Sequence, residues 1–225
     1  MKDCVTCKYK SQLFEKLTEA QSEEIYKTKK TVFVSKGEMI IREDEKISSF
    51  VYLVNGLVKL HKMDRFGKDQ IVSIAKPMDF VGLLTIFSET EYNYSMTALQ
   101  DSTISFVDAS LMKRYISENG TFALEVMKYI STISDDIIRK TYAINSKNLR
   151  GRIAFVLTDF TDNIYNSDTF DMPISRKEIG ELIDMTPENV IRILSEFRQD
   201  GLINLKGKHV EILNKKMILK IKDIG

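Results

Sequence analysis

The sequence predicts an α+β protein with a β-rich N-terminal domain, a long helix and a C-terminal domain of helices and a hairpin. Residues 31–108 contain short β-runs separated by glycines. From residue 121 onward, about thirty residues lack Gly and Pro. Residues 173–212 carry the start signals of two helices, followed by a glycine-tipped hairpin. We therefore expect three regions, at residues 1–120, 121–147 and 148–225.

The N-terminal region reads as a β-roll or jelly roll that follows an N-terminal helix. Its strands are closely spaced, and no strand alternates with a helix as in βαβ units. Gly37, Gly56, Gly67 and Gly82 lie at the corners between runs. The predicted strands are residues 31–34, 39–41, 51–54, 57–61, 70–74, 96–98 and 103–107.

The long helix carries apolar residues at 3,4 spacing, with one gap at Lys140. This spacing predicts a coiled-coil seam and therefore a homodimer. The alternative is a core helix that packs on its own β-roll. Polar residues 145–150 then predict a hinge. The predicted seam consists of Val126, Ile130, Ile133, Ile137 and Ile144.

The C-terminal region begins with two capped helices. Ser175 lies three residues before Glu178, which is the spacing of a capping box. Thr186 can cap a second helix, with Pro187 at its first position. Gly201 ends that helix, and a short hairpin with the tip Lys206-Gly207-Lys208 follows. The positions expected to be buried on the second helix are Val190, Ile193, Leu194 and Phe197.

Two helices and a basic wing in this order predict a winged helix-turn-helix, whose second helix enters the major groove of double-stranded DNA. The charge balance gives modest support. Residues 147–225 hold 13 Lys+Arg and 12 Asp+Glu, although basic residues outnumber acidic ones within 192–222. Phosphate contacts require such positive charge on the side that faces DNA.

Other classes of protein find little support in the sequence. The chain has formal net charge +1, no apolar run near the roughly 18 residues of a membrane span, and a polar start, so we expect a soluble, cytoplasmic protein without a membrane contact. With two histidines, no Gly-x-Ser-x-Gly and no Walker loop, it is not expected to be an enzyme. The remaining rival is a β-roll that binds a ligand or a partner protein and does not act on DNA.

The motifs resemble the cyclic AMP receptor and fumarate-nitrate regulator (Crp/Fnr) family. The helix-turn-helix pattern of that family is matched by SRKEIGELI at 175–183 and TPENVIRIL at 186–194. LRGRIA at 149–154 is similar to its hinge and the first helix of its DNA-binding domain. Residues 50–56, 67–72 and 79–82 look like its cyclic-nucleotide-binding-like β-roll. The resemblance covers nearly all residues after about 13.

The resemblance implies which residues read DNA bases. Arg192 matches an arginine that contacts guanine, and Glu188 matches a glutamate that accepts a hydrogen bond from cytosine N4. Pro187 stands where cyclic AMP receptors have a second guanine-reading arginine, so the half-site should be of the TTGA type. Asn189 replaces the usual threonine and can touch a thymine, an adenine or a phosphate. The structural alternative for Arg192 is a surface ion pair with Glu188.

Other side chains are placed to hold phosphates, which set register without reading sequence. A dimer would place two recognition helices about one DNA turn apart, roughly 34 Å, on a near-palindromic site. The resemblance also implies RNA polymerase as a partner, with activation or repression of transcription as the outcome. The candidate phosphate ligands are Ser175, Arg176, Thr186, Lys206 and Lys208.

The effector pocket departs from the cyclic AMP pattern. The family members that bind cyclic AMP hold its ribose and phosphate with a Gly-Glu pair and an Arg-Ser or Arg-Thr pair, where this chain has Gly82-Leu83 and Tyr94-Ser95. A buried phosphodiester without an arginine partner is costly, so we expect that cyclic AMP does not bind in the usual way. The pocket is either occupied by another, less charged effector or filled by side chains such as Leu83, Leu84, Ile86 and Phe87.

Both cysteines lie near the N-terminus, as Cys4-Val5-Thr6-Cys7. The fumarate-nitrate branch uses four cysteines for an iron-sulfur cluster, so a complete single-chain Cys4 cluster is excluded in a chain with two. A dithiol switch, a metal shared between two chains, or no role remain. The expected signal is therefore an unidentified effector or a redox change. His61 and His209 are expected to be solvated or wing residues and not metal or haem ligands.

Overall fold

The computed structural model describes residues 12–65 and 67–225. These residues divide into two compact units, one formed by residues 12–62 and 72–135 and the other by residues 63–65, 67–71 and 136–225. The fold is the predicted one, with a β-roll, a long helix and a winged helix-turn-helix. Within the described ranges, no helix is both long enough and apolar enough to cross a bilayer.

The β-roll is built from two antiparallel sheets of four strands, with orders β1-β8-β3-β6 and β2-β7-β4-β5. The seven predicted runs all become strands, and the two-residue strand β6, which the sequence did not predict, pairs with β3. The strands are β1 (Lys30–Val34), β2 (Met39–Ile41), β3 (Ser49–Asn55), β4 (Val58–Met63), β5 (Asp69–Ala75), β6 (Phe80–Val81), β7 (Ser95–Ala98) and β8 (Ser102–Asp108).

Strand β3 shows how the roll is held together. Its run FVYLV is buried on both faces, because alternate side chains of a strand point to opposite sides. Val51 and Leu53 join the core cluster that contains residues of both sheets. Phe50 and Tyr52 join a second cluster formed with the helices. A run that is apolar without alternation therefore marks a strand packed on both faces.

The helices of this unit supply the second cluster. A 3₁₀ turn at Gln12–Lys16 leads into α1 (Glu19–Thr28), where Thr18 and Gln21 form a capping box. Helix α2 (Ala109–Glu118) follows the last strand directly, capped by Asp108. The long helix α3 spans Gly120–Ser146. Its N-terminal part packs on the roll through Phe122 and Val126, both buried.

The predicted coiled-coil seam is wrong at its N-terminal end, at Val126 and Ile130. Val126 and Ile130 contact the core of their own β-roll. This agrees with the alternative prediction, a core helix that packs on its own β-roll. The hydroxyl of Tyr129 on the same side accepts a hydrogen bond from the Phe80 amide at 3.0 Å. Ile133, Ile137 and Ile144 continue this half-buried side along the helix. The apolar residues that α3 leaves exposed lie on its opposite side and are Leu124, Met127, Ile138 and Tyr142.

The predicted hinge at 145–150 is shorter than expected. Helix α3 continues to Ser146 and helix α4 (Leu149–Asp159) begins three residues later. The polar Asn148 has a local explanation, since its side-chain oxygen caps α4 by accepting from the Gly151 amide at 3.0 Å. Only residues 147 and 148 therefore lie between the two helices.

The C-terminal domain contains three elements beyond those predicted. A π-helical turn, Phe160–Tyr165, extends α4. Strand β9 (Thr169–Asp171) pairs with the wing, so the expected two-stranded hairpin is a three-stranded sheet of order β10-β11-β9. Helix α7 (Lys215–Ile224) packs on α4. The predicted elements are α5 (Arg176–Ile183), α6 (Pro187–Gln199), β10 (Ile203–Lys206) and β11 (His209–Ile212).

Gly180 makes the tight turn between α5 and α6 possible. A Cβ at this position would overlap the carbonyl oxygen of Met185, while the Met185 amide donates to the Gly180 carbonyl at 2.9 Å. Alanine normally stabilises a helix interior by about 1 kcal/mol relative to glycine. Here we expect Gly180→Ala to lower the free energy of unfolding by about 1–3 kcal/mol, because backbone must move to make room.

Urea unfolding followed by circular dichroism measures this effect. Gly120→Ala is the matched control, because a Cβ at Gly120 would meet no atom within 4 Å, and we expect it to stay within about 0.5 kcal/mol of the wild type. Equal midpoints for Gly180→Ala and wild type would mean that the turn tolerates a side chain.

Candidate nucleic-acid interface

The two helices of the helix-turn-helix begin at the predicted caps. The Ser175 hydroxyl accepts from the Glu178 amide at 3.2 Å, and the Glu178 carboxylate accepts from the Ser175 amide at 2.8 Å. Thr186 caps α6, its hydroxyl accepting from the Asn189 amide at 3.4 Å, with Pro187 at the first helical position. Both caps therefore fix where the helices begin.

One side of α6 anchors it in the domain core. The four positions predicted to be buried, Val190, Ile193, Leu194 and Phe197, are each at most 2% exposed. Residues Glu188 and Arg192 lie on the opposite side and are exposed, and Asn189 is half-exposed at its edge. Because the buried side is fixed by packing, α6 presents a defined polar surface at its N-terminal half.

Arg192 is held in a chain of ion pairs. Its guanidinium donates to Glu196 at 2.5 Å and to the Asn189 side-chain oxygen at 3.3 Å. The ion pair with Glu188 that we considered from the sequence is not the one formed, since Arg192 pairs with the glutamate one turn later. More than half of the Arg192 side chain is exposed, so the guanidinium is both oriented and accessible.

Arg150 on α4 completes this chain and was not predicted as a site residue. It donates to the second oxygen of Glu196 at 2.8 Å and to Asp200 at 2.6 Å. Its guanidinium also lies 4.9 Å from the centre of the Phe197 ring. Arg150 therefore shares Glu196 with Arg192 and ties α4 to α6. The sequence alone does not predict that a basic residue early in α4 binds Glu196.

Glu188 stands at the N-terminus of α6 as an ionised carboxylate. Its own backbone amide and, second, the Thr186 hydroxyl lower the pKa of the carboxyl group below its usual value. Helix N-termini favour negative charge because their amides lack intrahelical partners. At neutral pH the side chain is therefore a hydrogen-bond acceptor only.

The wing is basic and is tied to α5. Gly207 has φ +62° at the tip between β10 and β11, and both flanking lysines, Lys206 and Lys208, are exposed. Arg176 donates to the Gly207 carbonyl at 2.9 Å, so one of its hydrogen bonds positions the wing. His209 pairs with Asp171 on β9 at 2.8 Å, in keeping with the wing role expected for it.

The four candidate effector residues are only partly brought together. Gly82 has φ +83°, and a Cβ there would lie 3.4 Å from the Tyr94 hydroxyl. The Tyr94 hydroxyl in turn lies 3.4 Å from the Thr85 hydroxyl. Leu83 instead packs in the helix-facing core. Ser95 is also engaged elsewhere, accepting from the Glu43 amide at 3.0 Å.

Of the four residues named for the alternative of a filled pocket, Leu83, Ile86 and Phe87 lie elsewhere. Leu83 and Ile86 belong to the helix-facing cluster, and Phe87 is exposed with its ring edge against Phe50. The core cluster between the two sheets includes Met96 and Tyr92 instead. The Tyr92 hydroxyl donates to the Ser49 carbonyl at 2.7 Å, and burial raises the pKa of this phenol to about 12.

Cys4 and Cys7 lie outside the described residues, so their role stays a prediction. Among residues 12–65 and 67–225, no group of three or more His, Cys, Asp or Glu side chains is arranged to hold a metal ion.

Comparison with known proteins gives the same division of the chain. Residues 31–119 match the family model of the cyclic nucleotide-binding domain, and residues 151–221 match that of the Crp-like helix-turn-helix domain. The chain is 26% identical over 185 residues to the transcriptional activator protein anr of Pseudomonas aeruginosa, covering 80% of this chain and 75% of that protein.

Two further relatives cover more of the chain. It is 23% identical over 220 residues to the nitrogen fixation regulation protein FixK of Bradyrhizobium diazoefficiens, covering 94% of this chain and 90% of that one. The structure of FixK2 from Bradyrhizobium japonicum superposes with a TM-score of 0.79 at 21% identity, covering 86% of this chain and 97% of that chain. With both domains matched in this order, the chain belongs to the Crp/Fnr family of DNA-binding transcription regulators.

Proposed function

We propose that this regulator binds a near-palindromic DNA site as a homodimer, reads TTGA-type half-sites through α6, and responds to a signal other than cyclic AMP. The observation that carries the proposal is the polar surface of α6, held on a buried scaffold with Arg192 oriented and exposed. A regulator of this kind acts where the DNA is, so the proposal includes a cytoplasmic location.

Two charged side chains carry most of the proposed base recognition. Arg192 presents the planar fork that matches guanine O6 and N7, and Glu188 is an acceptor suited to cytosine N4. On DNA binding, Arg192 would leave Glu196 and donate its hydrogen bonds to guanine. Glu196 would keep its ion pair with Arg150. Pro187 offers no side-chain donor, and Asn189 can touch a neighbouring base or phosphate.

The proposed phosphate contacts surround this surface. Lys206 and Lys208 project from the wing tip, while Ser175 and Thr186 mark the N-termini of α5 and α6, where amides favour an anion. Arg176 would contribute partly by positioning the wing, because it donates a hydrogen bond to the Gly207 carbonyl. These groups set affinity and register without reading sequence.

The exposed side of α3 supports the proposed homodimer. Leu124, Met127, Ile138 and Tyr142 are 56–74% exposed, and their successive separations of 3, 11 and 4 residues place them on one side of a helix. A second copy of the same helix would cover this surface in a symmetric contact. This surface lies on the side of α3 opposite to Val126 and Ile130, the two residues of the predicted seam that pack on their own β-roll.

A binding titration tests the proposed function. Fluorescence anisotropy would compare a duplex carrying two inverted TTGA half-sites about one DNA turn apart with a scrambled duplex, at several salt concentrations. We expect tighter binding to the specific duplex and a negative slope of log affinity against log salt. Absence of binding to either duplex would favour the alternative, a β-roll that binds a ligand or a partner protein.

The β-roll supports the exclusion of cyclic AMP. Residues 82–95 contain no lysine or arginine and two glutamates, so a cyclic phosphodiester would lack a cationic partner there. Calorimetry with cyclic AMP should therefore give no heat of binding at concentrations in the micromolar range. Saturable micromolar binding would contradict this part of the proposal.

The names of the relatives support RNA polymerase as a second partner of this protein, in addition to DNA. The protein from Pseudomonas aeruginosa is a transcriptional activator, and activation of transcription requires productive contact with RNA polymerase. We include RNA polymerase as a proposed partner on this ground.

A further inference from the structure

Ile191 is the apolar exception on the outward side of α6. Its side chain is 53% exposed. It lies one helical turn after Glu188 and directly before Arg192, the two proposed base readers, and one turn before Ser195. The apolar residues that hold α6 in the domain, Val190 and Ile193 among them, are buried on the other side. Ile191 therefore makes no comparable contribution to the packing of the domain core.

The chemistry of the major groove offers one apolar group on the base edges, the 5-methyl of thymine. The other edge groups are hydrogen-bond donors and acceptors, which an isoleucine side chain would desolvate without compensation. A β-branched side chain in a helix has essentially one preferred rotamer, so little side-chain entropy is lost when it is covered. A fixed, exposed isoleucine between two base readers thus suits a thymine methyl.

We infer that Ile191 contacts the 5-methyl group of a thymine adjacent to the bases read by Glu188 and Arg192, and so selects thymine at that position of each half-site. This inference rests on the proposed function, because it needs α6 to lie in the major groove. It adds an apolar base contact, which is not found by matching the charged residues of α6 to the family pattern. It also differs from a solitary surface isoleucine, which is common and needs no function.

Replacing thymine by deoxyuridine tests the contact, since it removes the methyl group and keeps the Watson–Crick edge. Each thymine of the half-site is replaced in turn, in both half-sites at once, and affinity is measured by anisotropy. We expect one position at which the wild type loses about fourfold per half-site, or about fifteenfold in total, from the uncovered methyl.

The Ile191→Ala variant closes the thermodynamic cycle. We expect it to bind the thymine duplex more weakly than the wild type and to be nearly insensitive to deoxyuridine at that position. Ile191→Val should retain the methyl dependence. Because the side chain is exposed, both variants should unfold at the wild-type temperature, which is checked by circular dichroism.

The outcomes separate the inference from the proposed function. If the wild type binds the specific duplex but is unaffected by deoxyuridine at every position, the inference is overturned while DNA recognition stands. An equal deoxyuridine effect in wild type and Ile191→Ala would assign the methyl to another residue and also overturn it. If no specific duplex is bound at all, the proposed function itself fails.

Discussion

Replacing both Leu124 and Ile138 with aspartate is expected to convert the protein to monomers and to weaken DNA binding by at least about a hundredfold. Both side chains are about 65% exposed, so the fold should survive. In a symmetric dimer, four carboxylates would face one another, and juxtaposed like charges cost several kcal/mol. A monomer would also lose the avidity of two linked half-site contacts, which is worth about 10²–10⁴ in affinity.

Sedimentation and anisotropy on the same samples measure both effects. Thr132→Asp is the matched control, because Thr132 is exposed on α3 but lies about a quarter turn away from this apolar side. It should remain dimeric and bind DNA as the wild type does. A double aspartate variant that sediments as a dimer would place the dimer interface elsewhere.

Replacing Arg192 with alanine is expected to cost about 1–3 kcal/mol at each half-site. For a dimer on two half-sites this amounts to roughly thirtyfold or more. The variant should lose affinity mainly for the specific duplex, and its affinity for a scrambled duplex should change much less. Base discrimination should relax at one position per half-site, since the guanine edge loses its bidentate partner. Arg192→Lys should recover only part of the loss, because an ammonium lacks the planar fork.

Arg198→Ala controls for charge in this experiment. Arg198 is exposed in the last turn of the same helix, so the variant removes one positive charge without touching the proposed guanine contact. We expect it to weaken specific and scrambled duplexes by similar factors. If Arg192→Ala and Arg198→Ala had the same discrimination profile, Arg192 would be a phosphate contact and not a base reader.

The parts of the molecule that are governed by local chemistry could be predicted from the sequence. Ser175 with Glu178 and Thr186 with Pro187 specify helix starts through contacts within a few residues. The buried side of α6 follows from periodicity alone. The strands of the β-roll were also predictable, because glycines with positive φ, such as Gly37 and Gly56, mark the turns between them.

The parts that depend on distant contacts could not be predicted in this way. Periodicity identified an apolar side of α3 through Val126, but it could not decide whether the β-roll or a second chain covers that side. Glu196, the partner of Arg192, is also bound by Arg150, which lies 42 positions before Arg192 in the sequence. Strand β9 is only three residues long and exists because it pairs with β11.

Selection of binding sites from a random DNA library tests whether the protein is a dimeric, sequence-specific reader of DNA that uses α6. We expect enrichment of an inverted repeat with TTGA-type half-sites whose centres lie about 10–10.5 base pairs apart. In a selection with Arg192→Ala, the preference for guanine should be relaxed. A library that shows no enriched sequence, or an enriched half-site that occurs singly and does not change with Arg192→Ala, would contradict the proposed recognition of DNA by α6.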